Sequence, residues 1–292
     1  MPLLRQIASL WSLRDYPRAD APWEPEAQLD AIRAAGFDGV TGRVGRQDGQ
    51  LAMERDLIVI GFVSSGNDAE FGHLLETQKE AGARHVNIQL ADHDTPTQEA
   101  LRLTHRLFDD ANRIGELEIS IEVHRDTCTE TPEKTYALAD AYFAETGQLL
   151  PITWDFSHLA IVKHLQPKDF SSRLLDRPEL ILRSSQFHFR PFNGHHCQVP
   201  VTSADGSLTR ELREWLPFVA DTFSLWLGGN HAPEREIFVV PEMGPASSGY
   251  SLDAHPNSWE ETVKLRPILE NLWHAVSPKA GYPACVGKAN SR

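Results

Sequence analysis

The sequence is poor in cysteine: Cys128, Cys197 and Cys285 are far apart and odd in number. That pattern gives no disulfide framework. It also has no basic run. Lys plus Arg number 28 against 41 Asp plus Glu, for a net charge of −13, so nothing could neutralise a row of phosphates and a nucleic-acid partner is not expected. No apolar run approaches the roughly 18 residues needed to cross a bilayer, which argues against a membrane partner. The segment Met1 to Leu13 carries Arg5 inside its apolar stretch and lacks the basic start and small-residue cleavage site of an export signal. These absences together predict a reduced, cytoplasmic protein.

What is present is an alternation. Short β-branched, apolar segments are followed by longer amphipathic ones, the pattern of repeated βα units around a parallel sheet. Strands are expected at Gln6 to Leu13, Phe37 to Arg43, Asp56 to Ser65, His85 to Ala91, Leu117 to Arg125, Pro151 to His158, Leu182 to Arg190 and Arg235 to Gly244. Helices are expected at Glu24 to Ala35, Asp68 to Ala83, Thr97 to Ile114, Pro132 to Thr146, Leu208 to Leu227 and Trp259 to Val276. Gly36 and Gly82 fall where a helix end needs a left-handed residue, and Asn67, Thr95 and Thr131 are N-cap candidates. The short, Gly-rich Val44 to Arg55 segment is expected to reduce its helix to a turn. Eight strands suggest a closed α/β barrel, the (β/α)8 TIM barrel, more than an open doubly wound sheet, and no Gly-rich dinucleotide fingerprint follows the first strand. The reading is one catalytic domain over residues 1–276 and a loosely held tail over 277–292.

Side-chain alternation then selects a site. In the fifth strand Ile119, Ile121 and Val123 suit the helix layer, leaving Ser120, Glu122 and His124 pointing inward. The same test puts Asn87 and Gln89, then Asp155 with Thr153 and Ser157, inside. It also selects His188 with Gln186 and Arg190, and Glu242 with Phe238 and Val240. Barrel active sites lie at the C-terminal strand ends, where these polar residues converge. Three buried carboxylates would repel one another and resist ionisation, and one divalent cation removes that problem. Three oxygen ligands and one imidazole, from Glu122, Asp155, His188 and Glu242, form a mostly hard set. It favours Mn, Mg or Co, with Zn as an alternative. A metal-free salt-bridge network is the competing structural reading.

These residues resemble the xylose-isomerase-like superfamily of sugar isomerases and epimerases across roughly Gln6 to Val276. That resemblance implies metal ligands in the order Glu, Asp, His, Glu on the last four strands. Those positions read Glu122 in IEVHRD, Asp155 in WDFSH, His188 in FHFRP and Glu242 in VPEMG. It further implies that His158, in the Asp-x-x-His pattern, contacts substrate, and that Arg190 and His195 lie among the substrate contacts; His124 and Gln89 are added as candidates by their inward parity. Arg190 follows the metal histidine by only two residues, and HFRPFNGHHCQVP copies no sugar-epimerase loop.

The expected activity is isomerisation or epimerisation of a sugar or sugar-like keto-polyol, by proton transfer through a metal-stabilised enediolate with Glu122 and Glu242 as catalytic bases. Such a reaction belongs to carbohydrate metabolism, and the resemblance leaves room for a homodimer or homotetramer. The alternative is a lyase, resembling inosose dehydratase or the enzymes that cleave keto-glycosides. A DNA-repair nuclease of the same superfamily needs more histidines and a positive groove. A barrel that binds metal without catalysis is the remaining reading.

Overall fold

The computed structural model describes residues 2–277. Eight parallel strands close on themselves: β1 (Leu3–Ser9), β2 (Gly39–Thr41), β3 (Ile58–Ser65), β4 (His85–Leu90), β5 (Glu118–Glu122), β6 (Ile152–Asp155), β7 (Gln186–His188) and β8 (Glu236–Val240). Each pairs with its neighbours in sequence, and β8 returns to β1 with Leu3 opposite Glu236 and Gln6 opposite Val239. All eight expected strands are present. The first lies earlier than expected, because Leu10–Leu13 turn into a 3-10 helix after Ser9.

Helices α1 (Pro25–Ala34), α2 (Arg46–Met53), α3 (Phe71–Glu80), α4 (Thr97–Ile114) and α5 (Pro132–Thr146) fill the first crossovers. Three short helices, α6 (Phe156–Val162), α7 (Phe170–Leu174) and α8 (Pro178–Arg183), join β6 to β7, and α9 (Arg210–Leu227) and α10 (Ser258–Val276) complete the ring. Of the expected caps, Thr131 accepts the amide of Lys134 at the start of α5, while Asn67 and Thr95 fold into turns ahead of α3 and α4. Gly36 and Gly82 have φ of 79° and 88°, as a helix end requires.

The expected loss of α2 does not occur. An interior glycine costs a helix about 1 kcal/mol relative to alanine, but Gly49 sits where an added Cβ would lie 2.0 Å from the Ala81 carbonyl oxygen. It is there so that α2 can pack closely on the end of α3. The expected tail, residues 278–292, lies outside the described residues. Among the described residues no helix is long and apolar enough to cross a membrane.

The strand faces sort as the alternation predicts. Val86, Ile88, Ile119, Ile121, Val123, Trp154, Phe187, Phe189, Ile237 and Val239 join the large core between strands and helices. Inside the barrel the two halves differ. Ile7, Ile60 and Val240, with Ile58 and Phe238 against them, make an apolar plug on one side. On the other, a buried polar row crosses β4, β5 and β6: His85 Nε2 lies 3.0 Å from Ser120 Oγ, which lies 2.6 Å from Thr153 Oγ1. This pairing satisfies groups that burial would otherwise penalise, and it forms the floor beneath the next inward layer.

Candidate metal centre and cleft

That next layer is the site. In-register pairing sets Asn87 beside Ser120, Glu122 beside Thr153, and Asp155 beside His188. Glu122 and Asp155 are the last residues of β5 and β6, His188 is the last of β7, and Glu242 follows β8 by two residues. One ligand atom from each of the four lies within 4.8 Å of the other three. Among the described residues, this is the one group of three or more such side chains placed to share an ion.

His188 decides how the group fits an ion. Its Nδ1 is buried 3.1 Å from Glu122 Oε1 and 3.2 Å from Glu242 Oε2, within ion-pair distance of both, yet hydrogen-bonded to neither. Its other nitrogen, Nε2, lies 2.9 Å from the Gln186 amide, while Gln186 Oε1 has no partner. The two amide atoms of glutamine are assigned from the hydrogen-bond network. With the amide turned over, Oε1 would accept from Nε2–H, leaving the Nδ1 lone pair facing the carboxylates. A ligating imidazole is ordinarily held this way by a neighbour on its other nitrogen. The four residues therefore suit one divalent cation, and Asn87 steadies Glu122 by donating to its Oε2 at 2.7 Å.

Asp155 has two tasks. Its Oδ1 caps α6, accepting the Ser157 amide at 3.0 Å and the Ser157 hydroxyl at 2.5 Å. Its Oδ2 receives Arg190 Nη2 and stands 3.3 Å from His158 Nε2. Arg190 is fully buried and reaches three neighbours more: Ser157 Oγ at 3.1 Å, His158 Nε2 at 3.1 Å and Glu242 Oε2 at 3.5 Å. The arginine is thus an internal counter-ion for the carboxylate cluster, and it shares Asp155 Oδ2 with any ion bound there.

Electrostatics follow from these contacts. Burial alone would raise the Asp155 carboxyl, but Arg190 and then His158 outweigh it and hold the group well below the usual range. Burial likewise opposes ionisation of Glu122, and His188 overcomes it, lowering that carboxyl to about 2. His188 is desolvated, which lowers its pKa, yet Glu242 and Glu122 together carry it well above 6.5. His158 goes the other way: desolvation lowers it despite Asp155, so it stands as a neutral imidazole.

Above the centre opens a cleft of about 650 Å3. His188, Glu242, Asn87, Gln89 and His124 line it, joined by Trp11 and Tyr250. The His124 ring meets His158 edge-on at 4.3 Å between centroids, and its Nε2 lies 3.4 Å from the Tyr250 hydroxyl. His195 is not brought here: it is exposed on its loop, its ring 5.9 Å from that of His164. A second hollow, about 1140 Å3, opens at the opposite mouth among Arg84, Glu118, Arg183 and Glu236, and none of the four ligands borders it.

Sequence reasoning passed over Trp11 and Tyr250, which come from the 3-10 turn after β1 and from a loop without periodicity. Gln186 and Asn87 were visible on the inward parity, without a sign of their hydrogen-bonding roles. Gly244 in VPEMG also matters. A Cβ there would lie 2.2 Å from the Trp11 ring, and Gln198 grips its backbone through both amide atoms, at 2.6 and 2.9 Å.

No family model matches the chain, and no curated protein matches it in sequence. Comparison of folds is informative. The barrel superposes on L-ribulose 3-epimerase with a TM-score of 0.59 at 13% identity, covering 93% of this chain and 95% of that one. The shared fold is a closed (β/α)8 barrel. A xylose isomerase-like TIM barrel protein from Mycobacterium smegmatis, solved in complex with magnesium, gives a TM-score of 0.56 at 15% identity over 94% of this chain and 98% of that one. A probable 3-DHS dehydratase from Bacillus anthracis gives 0.52 at 15% identity, over 90% and 98%. At such identities the likeness establishes architecture, and the chemistry has to be argued from the side chains.

Proposed function

We propose that the chain is a divalent-metal-dependent isomerase or epimerase that moves a proton at a carbon beside the carbonyl of a small sugar or sugar-like keto-polyol. The observation that carries this reading is the convergence of one ligand atom each from Glu122, Asp155, His188 and Glu242 within 4.8 Å of one another. Manganese, magnesium or cobalt suits the donor set better than a thiophilic ion. When bound, such an ion supplies the Lewis acidity that makes the neighbouring C–H acidic.

The chain's own residues supply the rest. Glu242 borders the cleft with 16% of its side chain exposed, so it is the carboxylate placed to take a proton from a bound polyol. Glu122, on the other side of His188 Nδ1, is the second carboxylate. The neutral His158 and cationic Arg190 lie buried behind the cleft lining, against Asp155 and Glu242, and hold those carboxylates in place. Trp11 and Tyr250 meet edge to face at 4.7 Å in the cleft wall. Cys128 and Cys197 form no disulfide among the described residues, which supports the reading of a reducing, cytoplasmic setting.

A lyase is the second reading, favoured by the His124–Tyr250 pair. A phenol beside an imidazole can protonate a departing hydroxyl, so that the substrate loses water after the same initial proton removal. Incubation of the manganese-loaded protein with ketoses and keto-cyclitols in deuterated water separates the possibilities. The isomerase or epimerase reading expects deuterium at the carbon beside the carbonyl in recovered sugar, lost in Glu242→Gln. An unsaturated or cleaved product favours the lyase, and neither incorporation nor such a product with any substrate removes both proton-transfer readings.

A further inference from the structure

We propose that the cleft is built for an anionic substrate, a keto-polyol carrying a carboxylate or phosphate group that Arg14, Arg43 and Arg125 hold at the mouth. This deepens the function proposed above and rests on it. The first argument is charge. Glu242 is the one carboxylate among the residues lining the cleft, whereas Arg14, Arg43 and Arg125 all line it. Below, Arg190 and, on the function proposed above, a bound dication would match the three carboxylates of the metal centre. The three mouth arginines are therefore surplus positive charge, gathered in one concavity of a protein whose net charge is −13. A concave wall of one sign concentrates the field and attracts a small ion of the other.

The second argument is that these guanidinium groups are unclaimed. Carboxylates are abundant on this surface, and Arg18, Arg46, Arg55 and Arg102 each have one within 3.0 Å. Arg14, Arg43 and Arg125 make no ion pair within 4.0 Å among the described residues. Arg125 is nevertheless fixed in place, its guanidinium 4.2 Å from the centre of the Tyr250 ring. Stacking on an aromatic face restrains an arginine and leaves its N–H edge free to form a fork with carboxylate or phosphate oxygens.

The third argument is position. Arg14 follows the 3-10 turn after β1, Arg43 follows β2 and Arg125 follows β5, so the cations stand around the mouth from two sides of the barrel. The metal ligands rise from β5 to β8. A substrate whose carbonyl reaches His188 and Glu242 would thus present its far end to Arg14 and Arg43. A volume of about 650 Å3 fits a small sugar with one such group. Carboxylate and phosphate share the recognising chemistry, and binding measurements tell them apart.

The test is calorimetric titration of the manganese-loaded protein at low ionic strength with two matched pairs: D-ribulose against D-ribulose 5-phosphate, and D-fructose against D-fructuronate. At least one anion should bind about tenfold or more tightly than its neutral counterpart, and raised salt should erode the difference. Preference in the first pair alone identifies phosphate, and in the second alone carboxylate. The triple variant Arg14→Gln, Arg43→Gln, Arg125→Gln should lose the preference while keeping its circular dichroism and manganese stoichiometry. The triple lysine variant should keep part of it. Neither anion exceeding its neutral partner, or a preference that survives the glutamine variant, overturns the proposal. Anion preference in a protein that binds no manganese would leave this subsite standing and remove the metal-dependent reading instead.

Discussion

Arg190 shows how much a single side chain does here. Its guanidinium lies buried against Asp155, Ser157, His158 and Glu242, so the carboxylate cluster carries an internal counter-charge. A buried charge stripped of its partner is destabilising by about 3–5 kcal/mol, because the remaining ion has neither water nor counter-ion. Arg190→Gln should therefore lower stability by an amount in that range, read from urea unfolding of metal-free protein. Manganese should recover part of the loss by supplying positive charge to the same oxygens. A change under 1 kcal/mol would mean that Asp155 is stabilised by its α6 cap alone.

At the scale of elements, the loop after β8 is the joint that holds the site. Gly244 is fixed by Gln198 and by Ser258 Oγ at 2.6 Å, and Glu261 of α10 accepts the amides of Val201 and Thr202 at 2.5 and 2.8 Å. Glu242 and Trp11 are thereby positioned by elements far from each other in sequence. Gly244→Ala should push the Trp11 indole out of the cleft wall. The expected result is a shifted tryptophan emission and an impaired proton exchange with manganese content unchanged; unchanged emission would show that the ring does not need the glycine.

How much of this the sequence carries depends on periodicity. Strand parity is a local, repeating signal, so the eight strands, the inward Glu122, Asp155, His188 and the barrel closure were all legible. Glu242 lies just beyond β8 and kept the same alternation. The joint was not legible, because Gly244, Gln198, Glu261 and Trp11 act through contacts between segments far apart in sequence. The helix α2 was misread for a related reason: Gly49 looks like a helix breaker alone and becomes a packing requirement only beside Ala81. His195 was selected through the family resemblance, and its loop carries it outward. The short α6, α7 and α8 replace one long crossover helix and lack enough turns to display a face.

For the whole molecule, metal, protons and stability are linked. In the metal-free protein His188 keeps its proton well above pH 6.5, and an ion can take Nδ1 only once that proton has left. Manganese affinity should fall by about tenfold per pH unit below the raised pKa, with one proton released per ion bound. Metal-free stability has the opposite slope over the same region. The His188 contribution is complete below about 6.5 and is lost as pH rises through the folded value, whereas those of Asp155 and Glu122 are lost only in acid. Calorimetry of manganese binding in buffers of different ionisation enthalpy measures the proton count, and no release near neutrality would mean His188 is not a ligand.

The most direct examination of the central claim is anomalous diffraction at the manganese edge from crystals of the manganese-loaded protein. The account predicts one peak per chain, about 2 Å from oxygens of Glu122, Asp155 and Glu242 and from Nδ1 of His188. A peak elsewhere, or none at millimolar manganese with Arg190 still seated on Asp155 and Glu242, would show that the four side chains form a closed salt-bridge network and not a metal centre.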